Sequence, residues 1–584
     1  MIEIEKGKMK MKRLLVFLKN YKKESALAPI FKMLEAFFEL LVPLVMAAII
    51  DKGIANEDKV YIGKMGFIMV GLGLIGMAVS VTAQYFSAKA AVGFSTELKH
   101  ALFAHIQQLS FTELDKVGTS TLMTRMTSDV NQVQNGVNMT LRLFMRSPFI
   151  VFGAMVMAFT IDVKCALIFV VTIPMLSIVV FGIMIWTIPL YRKVQGQLDN
   201  VLNITRENLA GVRVIRAFNK ENEETARFDK NNSYLAAMQM FVGKISAVMN
   251  PVTYVMINAA IMVLIWSGAI QVNIGKITQG EVVALVNYMS QILVELVKLA
   301  SLIITITKAL ACAKRIEAVF DISSSMPYTE NGAAVEEQEE IIRLKQVGLT
   351  YEGAGEEALS DIDFSVKKGQ TIGIIGGTGS GKSSLVHLIL RFYDATRGEV
   401  LYHGKNVKEY SLQELRSRIR IVMQKAVLFG GTIAQNLAWG KEDATSEEMW
   451  QALESAQAAE FVRQKEGQLE SYIEQGGRNL SGGQRQRLTI ARALIGKPDI
   501  LILDDSASAL DYATDAKLRK AIAAMEEDTT VFIVSQRTSS LQHADQIIVL
   551  EDGKIAGIGT HEELVKRCVV YREIYESQYA KQDA

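Results

Sequence analysis

Residues 371–386 read TIGIIGGTGSGKSSLV, in which an apolar run leads through a glycine-rich loop into the start of a helical stretch. A phosphate-binding loop requires this order of strand, loop and helix. The glycines let the backbone curl, so that successive N–H groups and the N-terminus of the helix face the phosphates. The pattern therefore predicts a nucleotide site. Its binding residues are expected to be Gly376, Thr378, Gly379, Ser380, Gly381, Lys382, Ser383 and Ser384.

Within this site we expect Lys382 to reach the outer phosphates and the Ser383 hydroxyl to be a ligand of Mg²⁺. A second apolar run, residues 500–503, ends in Asp504, an acid suited to the Mg²⁺ shell. The two motifs together predict an ATPase core with ATP and Mg²⁺ as its cofactors. The formal net charge of the chain is only +1, so no general basic field argues for a nucleic-acid partner.

Upstream of residue 310 the sequence is dominated by long uncharged runs. Six of them are long enough to cross about 30 Å of hydrocarbon as a helix, and soluble helices usually keep a polar face, so we interpret all six as membrane spans. Basic side chains are frequent in the first 23 residues, which predicts a cytoplasmic N-terminus. The six spans centre near Val42, Gly73, Val151, Pro174, Ala260 and Ile292.

Two of the connections between spans, residues 87–141 and 191–244, are long, charged and nearly free of helix breakers. Folded as pairs of helical arms, they would extend about 40 Å from the membrane. We expect their turns, around Gly118–Thr121 and Asn208–Val212, to contact the cytoplasmic domain.

Ionisable residues also occur within or near the spans, where such groups usually face a cavity or a partner. A contact with substrate and simple pairing at the bilayer edge both remain open for them. These residues are Glu35, Glu39, Arg142, Arg146, Glu295 and Lys298.

The sequence therefore predicts a membrane all-α domain of six transmembrane helices, followed by a cytosolic α/β P-loop ATPase domain. The expected boundaries are 1–24 for a cytosolic amphipathic segment, 25–320 for the transmembrane domain with its intracellular arms, 321–340 for a linker and 341–584 for the nucleotide-binding domain. The three cysteines are too scattered for a metal cluster or a disulfide framework, which fits a reducing cytosolic face.

Between the two phosphate motifs, residues 480–487 read LSGGQRQR, which is similar to the signature sequence of ABC ATPases. With six spans and long inward loops before it, nearly the whole chain resembles the exporter branch of that family. The resemblance implies that Ser481, Gly482, Gly483 and Gln484 bind the γ-phosphate held by an opposite subunit.

The resemblance also assigns three further nucleotide contacts. Tyr351 corresponds to the aromatic residue that stacks on adenine, and Gln424 to the residue that links Mg²⁺ to the coupling loop. Asp511 ends the run Ser508-Ala509-Leu510-Asp511, which resembles the loop that contacts the opposite subunit.

The chain departs from the family at two catalytic positions. Asp505 stands where the family has a glutamate that polarises the attacking water, and its carboxylate is one methylene shorter. Gln536 stands where the family has a histidine, and an amide cannot carry a proton or a positive charge. A displacement of about 1 Å can cost on the order of a hundredfold in rate, so this chain's own site is expected to be weakly active.

The combination resembles the degenerate subunit of heterodimeric multidrug ABC exporters. It implies an ATP-hydrolysing translocase in the plasma membrane, with the ATPase domain in the cytoplasm and a small hydrophobic or amphipathic substrate. The expected partner is a second ABC half-transporter that supplies the missing glutamate and histidine. A slow homodimeric exporter of lipid or peptide, and an ATP-gated regulatory membrane protein, remain the alternatives.

Overall fold

The computed structural model describes residues 14–326, 335–506, 510–524 and 529–579. Parts of the predicted N-terminal segment and linker, together with Ser508 and Ala509, lie outside the described residues. Backbone contacts divide the chain into two compact units. The first runs to Gln107 and continues from Thr119 to Ile322; the second comprises Gln108–Gly118 and the described residues from Ser323 onward.

The first half of the chain is helical throughout. Its helices are α1 (Lys22–Ala48), α2 (Lys59–Gln107), α3 (Phe111–Val117), α4 (Thr119–Thr124), α5 (Val130–Leu143), α6 (Arg146–Ile161), α7 (Val163–Ala210), α8 (Val212–Ala217), α9 (Glu221–Asn273) and α10 (Gln279–Phe320). A 3₁₀ turn precedes α1, and π-helical turns follow α1 and α4. Within the described residues, six of the helical stretches are long and apolar enough to cross a membrane.

The connections on one side of the bundle are short, as the sequence predicts. Asp162 caps α7 by accepting a hydrogen bond from the backbone N–H of Cys165 at 2.8 Å. Gly275, with φ of +75°, turns the chain between α9 and α10. On the other side the helices run on: α9 has 53 residues and is therefore about 80 Å long, far more than the hydrocarbon thickness.

The turn of the first arm differs from the prediction. It was expected around Gly118–Thr121, but the chain turns earlier, through the short helix α3. Ser110 and Glu113 form a capping box that starts this helix, and Gly118, with φ of +79°, ends it. A polar cap and a glycine in the left-handed region are the usual ends of a short helix, so local chemistry moves the turn.

The core of the first unit lies among α1, α6, α7, α9 and α10. Phe169 and Tyr288 are fully buried there, and the Tyr288 hydroxyl donates to the backbone carbonyl of Leu40 at 2.6 Å. A buried phenol needs such an acceptor, because leaving its hydroxyl unpaired in an apolar region costs free energy.

The second unit contains two larger sheets and a small two-stranded sheet. Its strands are β1 (Glu340–Leu349), β2 (Leu359–Lys367), β3 (Thr371–Gly376), β4 (Arg397–Tyr402), β5 (Lys405–Asn406), β6 (Ile419–Val422), β7 (Gly431–Thr432), β8 (Tyr472–Ile473), β9 (Ile500–Asp504), β10 (Thr530–Val534), β11 (Gln546–Glu551) and β12 (Lys554–Gly559). An antiparallel sheet has the order β2-β1-β4-β5, and a six-stranded sheet has the order β12-β11-β3-β10-β9-β6.

The helices of this unit follow its strands. They are α11 (Lys382–Ile389), α12 (Leu412–Arg418), α13 (Ile433–Ala438), α14 (Ser446–Ser455), α15 (Ala459–Arg463), α16 (Gly482–Leu494), α17 (Tyr512–Ala523), α18 (His561–Arg567) and α19 (Val569–Tyr579). Helices α13 to α16 pack with α17 and with one side of β9 and β10 in a second core, which includes Leu428, Leu453 and Leu488.

In the six-stranded sheet, the strands β6, β9, β10, β3 and β11 are parallel, and only β12 is antiparallel. β3 is apolar along its length because it lies between β10 and β11 and is buried on both faces. Parallel strands bring their carboxyl ends to one edge of a sheet, which places the segments that follow β3, β6, β9 and β10 together.

Candidate functional site

The phosphate loop follows β3 at this edge and leads into α11. Gly379 and Gly381 have φ of +85° and +94°, a region that favours glycine. A side chain on Gly381 would also come within 2.6 Å of the Leu359 side chain. Gly377 and Gly379 face open space, with no atom within 4 Å of where a Cβ would stand. The loop is therefore a concave backbone surface with room above it.

The ammonium group of Lys382 lies across this loop. It donates to the backbone carbonyls of Gly376 and Gly377 at 2.9 and 2.6 Å. Burial lowers the pKa of Lys382, while the charges of Asp505 and Asp504 act in the opposite direction. The structure thus places a half-buried cation at the mouth of a glycine loop, as phosphate binding requires.

The carboxylate of Asp504, at the end of β9, faces the start of α11. It is 5% exposed, and the Ser383 hydroxyl donates to its Oδ1 at 3.4 Å. Burial raises the pKa of Asp504, because a negative charge is unfavourable at this buried position. A hydroxyl and a carboxylate oxygen side by side are suitable ligands for Mg²⁺.

Asp505 has an unusual backbone conformation, which sequence reasoning did not anticipate. Its φ is +44°, in the left-handed region, and its N–H donates to the carbonyl of Val534 on β10 at 2.9 Å. Its Oδ2 accepts a hydrogen bond from the Gln424 Nε2 at 3.1 Å. Gln424 follows β6, so two strand ends meet at this carboxylate.

Gln536 comes two residues after the end of β10, at the same edge of the sheet. Its side chain is exposed, while its backbone carbonyl accepts from the Gln578 Nε2 at 2.7 Å. The structure therefore brings the phosphate loop, Asp504, Asp505, Gln424 and Gln536 to one edge of the sheet.

The signature residues lie elsewhere, at the N-terminus of α16. Ser481 caps this helix: its hydroxyl accepts from the Gln484 N–H at 3.2 Å, and the Gln484 side-chain oxygen accepts from the Ser481 N–H at 3.0 Å. Gly482 faces open space. The Gln484 side chain is thus engaged in a capping box, and the free backbone donors of the first helical turn are the groups left to bind an anion.

Asp511 has a local structural role within this chain. It caps α17, with Oδ1 accepting from the Thr514 N–H at 2.8 Å and Oδ2 from the Thr514 hydroxyl at 2.9 Å. The backbone hydrogen bond from Thr514 lowers the pKa of Asp511. Its contact with a second subunit remains a prediction.

Tyr351 lies beside the phosphate-loop helix. Its hydroxyl donates to the Ser384 Oγ at 2.8 Å, and its ring meets the Tyr393 ring edge-on at 5.1 Å between centroids. The Tyr393 hydroxyl in turn donates to the Asp115 Oδ2 on α3 at 2.5 Å. The aromatic residue expected to stack on adenine is therefore two contacts away from the turn of the first helical arm.

Helix α3 packs within this second unit through residues that the sequence analysis did not single out. The rings of Phe111 and Phe392 lie 4.6 Å apart, and Lys116 pairs with Glu352 at 2.5 Å. A cleft of about 920 Å³ beside the helix is lined by Asp115, Lys116, Tyr351 and Tyr393, among others. The run Phe392-Tyr393, shortly after α11, is a local signal for this contact, but paired aromatic residues more often belong to a core.

Two family models match this chain. The model of the ABC transporter transmembrane region matches residues 26–296, and the ABC transporter model matches residues 359–508. An uncharacterised ABC transporter ATP-binding protein of Mycobacterium bovis is 37% identical over 565 residues, which cover 96% of this chain and 97% of the relative. The chain belongs to the ABC transporter family.

Other relatives of this ABC transporter carry functional names. A putative multidrug export ATP-binding/permease protein of Bacillus subtilis is 32% identical over 97% of this chain and 98% of its own length. An ATP-dependent lipid A-core flippase of Hahella chejuensis is 30% identical, with 89% and 87% covered. A bacterial Atm1-family ABC exporter with ATP bound superposes with a TM-score of 0.79 at 22% identity, covering 95% of this chain and 99% of that one.

The predicted fold class is thereby confirmed: six apolar helical stretches precede a C-terminal nucleotide-binding domain with a mixed sheet. This ABC transporter chain shares the fold of an ABC exporter and carries the family's ATPase domain, which implies ATP binding. The residues present fit ATP and Mg²⁺, because the glycine loop is open, Lys382 is at its mouth and the buried Asp504 carboxylate lies beside the Ser383 hydroxyl. Ser383 and Asp504 would hold Mg²⁺, which would supply positive charge to offset the charge of the phosphates.

Proposed function

We propose that this chain is the catalytically weak half of a heterodimeric ABC exporter, which moves small amphipathic or hydrophobic compounds out across the plasma membrane. Its ATPase domain and N-terminus would lie in the cytoplasm, and a second ABC half would be its partner. The partner, the weak site, the substrate and the location in the plasma membrane are all parts of this proposal.

The observation that carries the proposal is Asp505. This carboxylate is one methylene shorter than the family's glutamate and is anchored on both sides, by the backbone bond to Val534 and the side-chain bond from Gln424. An anchored, shortened carboxylate polarises an attacking water poorly, because phosphoryl transfer depends on positioning. Gln536, exposed at the same edge, offers an amide where a protonated or neutral imidazole would otherwise act.

The signature supports the other half of the proposal. Ser481 and Gln484 form a complete capping box, and Gly482 leaves the N-terminus of α16 open to an anion. A chain with an impaired site of its own and an intact signature is suited to complete the active site of a different subunit. In this asymmetric pair, the partner's phosphate loop would carry most of the hydrolysis.

The named relatives support the substrate class. A multidrug export protein and a lipid flippase both handle amphipathic molecules, and both align over most of this chain. Drug-like compounds are the first choice, since the multidrug relative is the more similar of the two. The flippase relative favours lipid export as the second candidate, which a homodimer could also perform.

The test is purification of the tagged chain from its native membrane in mild detergent, followed by mass spectrometry of the proteins that copurify in equal amount. We expect a second ABC half with glutamate and histidine at the positions of Asp505 and Gln536. Recovery of this chain alone, as a dimer that hydrolyses ATP, would overturn the heterodimer.

Export itself is tested with inverted vesicles. ATP-dependent accumulation of a fluorescent amphipathic dye is expected for the complete exporter. Accumulation of a labelled lipid without dye would favour the flippase alternative, and a lack of both would favour an ATP-gated regulator.

A further inference from the structure

A network of charged side chains joins three helices inside the membrane-spanning unit. Arg146 on α6 donates through Nη1 to the Glu295 Oε1 on α10 and through Nη2 to the Glu39 Oε2 on α1, both at 2.7 Å. Glu295 also accepts from the Ser147 hydroxyl and from the Lys298 ammonium, both at 2.8 Å. These residues are far apart in sequence, and the helix packing brings them together.

The network lies within the hydrocarbon zone. Glu39, Arg146 and Glu295 are each fifteen or sixteen residues from the end of their helical stretch on the same side of the bundle. For regular helix this is about 23 Å, against a hydrocarbon thickness of about 30 Å. Charges at that depth are costly unless they face a partner, a cavity or one another.

The centre of the network is buried, whereas its two ends are partly exposed and have hydrogen-bonding capacity to spare. Arg146 and Glu295 are 9% and 3% exposed at their side chains. Glu39 is 40% exposed and has Arg146 as its hydrogen-bond partner, and Lys298 is 43% exposed and uses one of its three donors on Glu295. The intervening bonds keep these two ends within about 11 Å of each other, allowing for the width of one guanidinium group.

The balance of charge indicates which ligand fits. Arg146 and Lys298 balance Glu39 and Glu295, and Lys32 balances Glu35, whose Oε1 also lies 4.0 Å from the Arg146 Nε. A ligand with a net charge would leave that charge unbalanced in a medium of low dielectric constant. A ligand that carries both signs adds no net charge and offers one group to each exposed end.

We propose that Glu39 and Lys298 bind the head group of a zwitterionic amphiphile, with the cationic group on Glu39 and the anionic group on Lys298. The inference rests on the proposed export function and specifies its substrate class. The apolar helix faces around the network would receive the hydrocarbon part of the ligand, and the Arg146–Glu295 pair would hold the two binding groups in register.

The experiment measures equilibrium binding, without ATP, to the complete exporter in nanodiscs of phosphatidylglycerol. Three radiolabelled probes share one alkyl chain: hexadecylphosphocholine, hexadecyltrimethylammonium and hexadecyl sulfate. The wild type should bind the phosphocholine most tightly. Glu39→Gln should weaken phosphocholine and trimethylammonium binding about tenfold and leave the sulfate unchanged, since a hydrogen bond to a charged group is lost. Lys298→Met should weaken phosphocholine and sulfate and leave trimethylammonium unchanged.

Glu24→Gln is the matched control, because Glu24 lies on the same helix and pairs with Lys89 on α2 at 3.0 Å. It should leave all three affinities unchanged. Equal affinity of the wild type for the three probes would overturn the proposal without recourse to any variant. So would dissociation of the two halves in Glu39→Gln or Lys298→Met, which would show that these charges pair across the subunits. Because ATP is absent, the result is independent of whether the Asp505 site is weak.

Discussion

Restoring the longer carboxylate at position 505 should accelerate this chain's own ATP site. Asp505 is fixed by its N–H bond to Val534 and by the Gln424 amide, so its carboxylate cannot advance toward a bound nucleotide by backbone movement. The extra methylene of glutamate extends the reach by about 1 Å, and a displacement of that size is worth up to about a hundredfold in rate, or about 2.7 kcal/mol of activation free energy. Asp505→Glu is therefore expected to raise turnover at this site by about 10- to 100-fold.

The left-handed backbone conformation of Asp505 should make the same substitution costly for the stability of the folded domain. Aspartate tolerates φ of +44° because its short side chain can hydrogen-bond locally, whereas a longer side chain costs about 1–2 kcal/mol in this region. That cost lowers the stability of the folded domain and does not by itself slow the chemical step. We therefore expect Asp505→Glu to lower the melting temperature by a few degrees while it raises turnover.

The assay uses the purified two-chain exporter in which the partner's catalytic glutamate is replaced by glutamine, so that the residual ATP turnover comes from this chain's site. Adding Gln536→His should increase the rate further, and Asp505→Asn, which keeps the size but removes the charge, should abolish it. Unchanged or reduced turnover in Asp505→Glu, with ATP binding intact, would refute the argument from carboxylate reach.

Three further predictions follow from the same structure. Burial raises the pKa of Asp504, so the protonated carboxyl stabilises the fold below its ordinary pKa of 3.8, and this stabilisation is lost as the pH rises through the folded-state pKa. Asp504→Asn should therefore raise the melting temperature of the nucleotide-free protein at neutral pH, measured by scanning fluorimetry. The same substitution should abolish Mg²⁺-dependent hydrolysis. Tyr393→Phe removes the hydrogen bond to Asp115 but keeps the ring, so the substrate moved per ATP should fall severalfold in vesicles while ATP affinity stays within about twofold. Glu295→Gln breaks the centre of the membrane charge network and should lower the free energy of unfolding by about 3–5 kcal/mol, whereas Glu39→Gln at its exposed end should lower it by less than about 1 kcal/mol. Equal shifts of the unfolding temperature in the two variants would contradict the larger contribution expected of the buried Glu295.

Several site residues were predictable because their signals are local. The glycine spacing of 376–381 fixes a turn that few other sequences can form, and an apolar run ending in Asp504 identifies a buried strand with an acid at its end. Both features depend on neighbours along the chain, so the sequence is sufficient to place them. The first arm turns several residues before the predicted position at Gly118–Thr121, because the Ser110 cap starts a short helix there.

Other contacts are absent from any local pattern. The docking of α3 depends on Asp115 and Tyr393, which are 278 residues apart, and on the packing of Tyr351 against Tyr393. The capping role of the Gln484 side chain likewise required the geometry at the start of α16, because the same glutamine could have pointed toward a phosphate.

The amino-acid sequence by itself determined the six membrane spans, the phosphate loop and the substitutions at Asp505 and Gln536, because hydrophobic length, glycine spacing and residue identity are properties of short segments. The tertiary structure decided how the membrane charges pair and how Asp505 is held. Arg146 and Glu295 meet because α6 and α10 pack together, and Asp505 is anchored because β9 lies between β6 and β10. Those neighbours are chosen by the packing of whole helices and strands, which no single segment encodes.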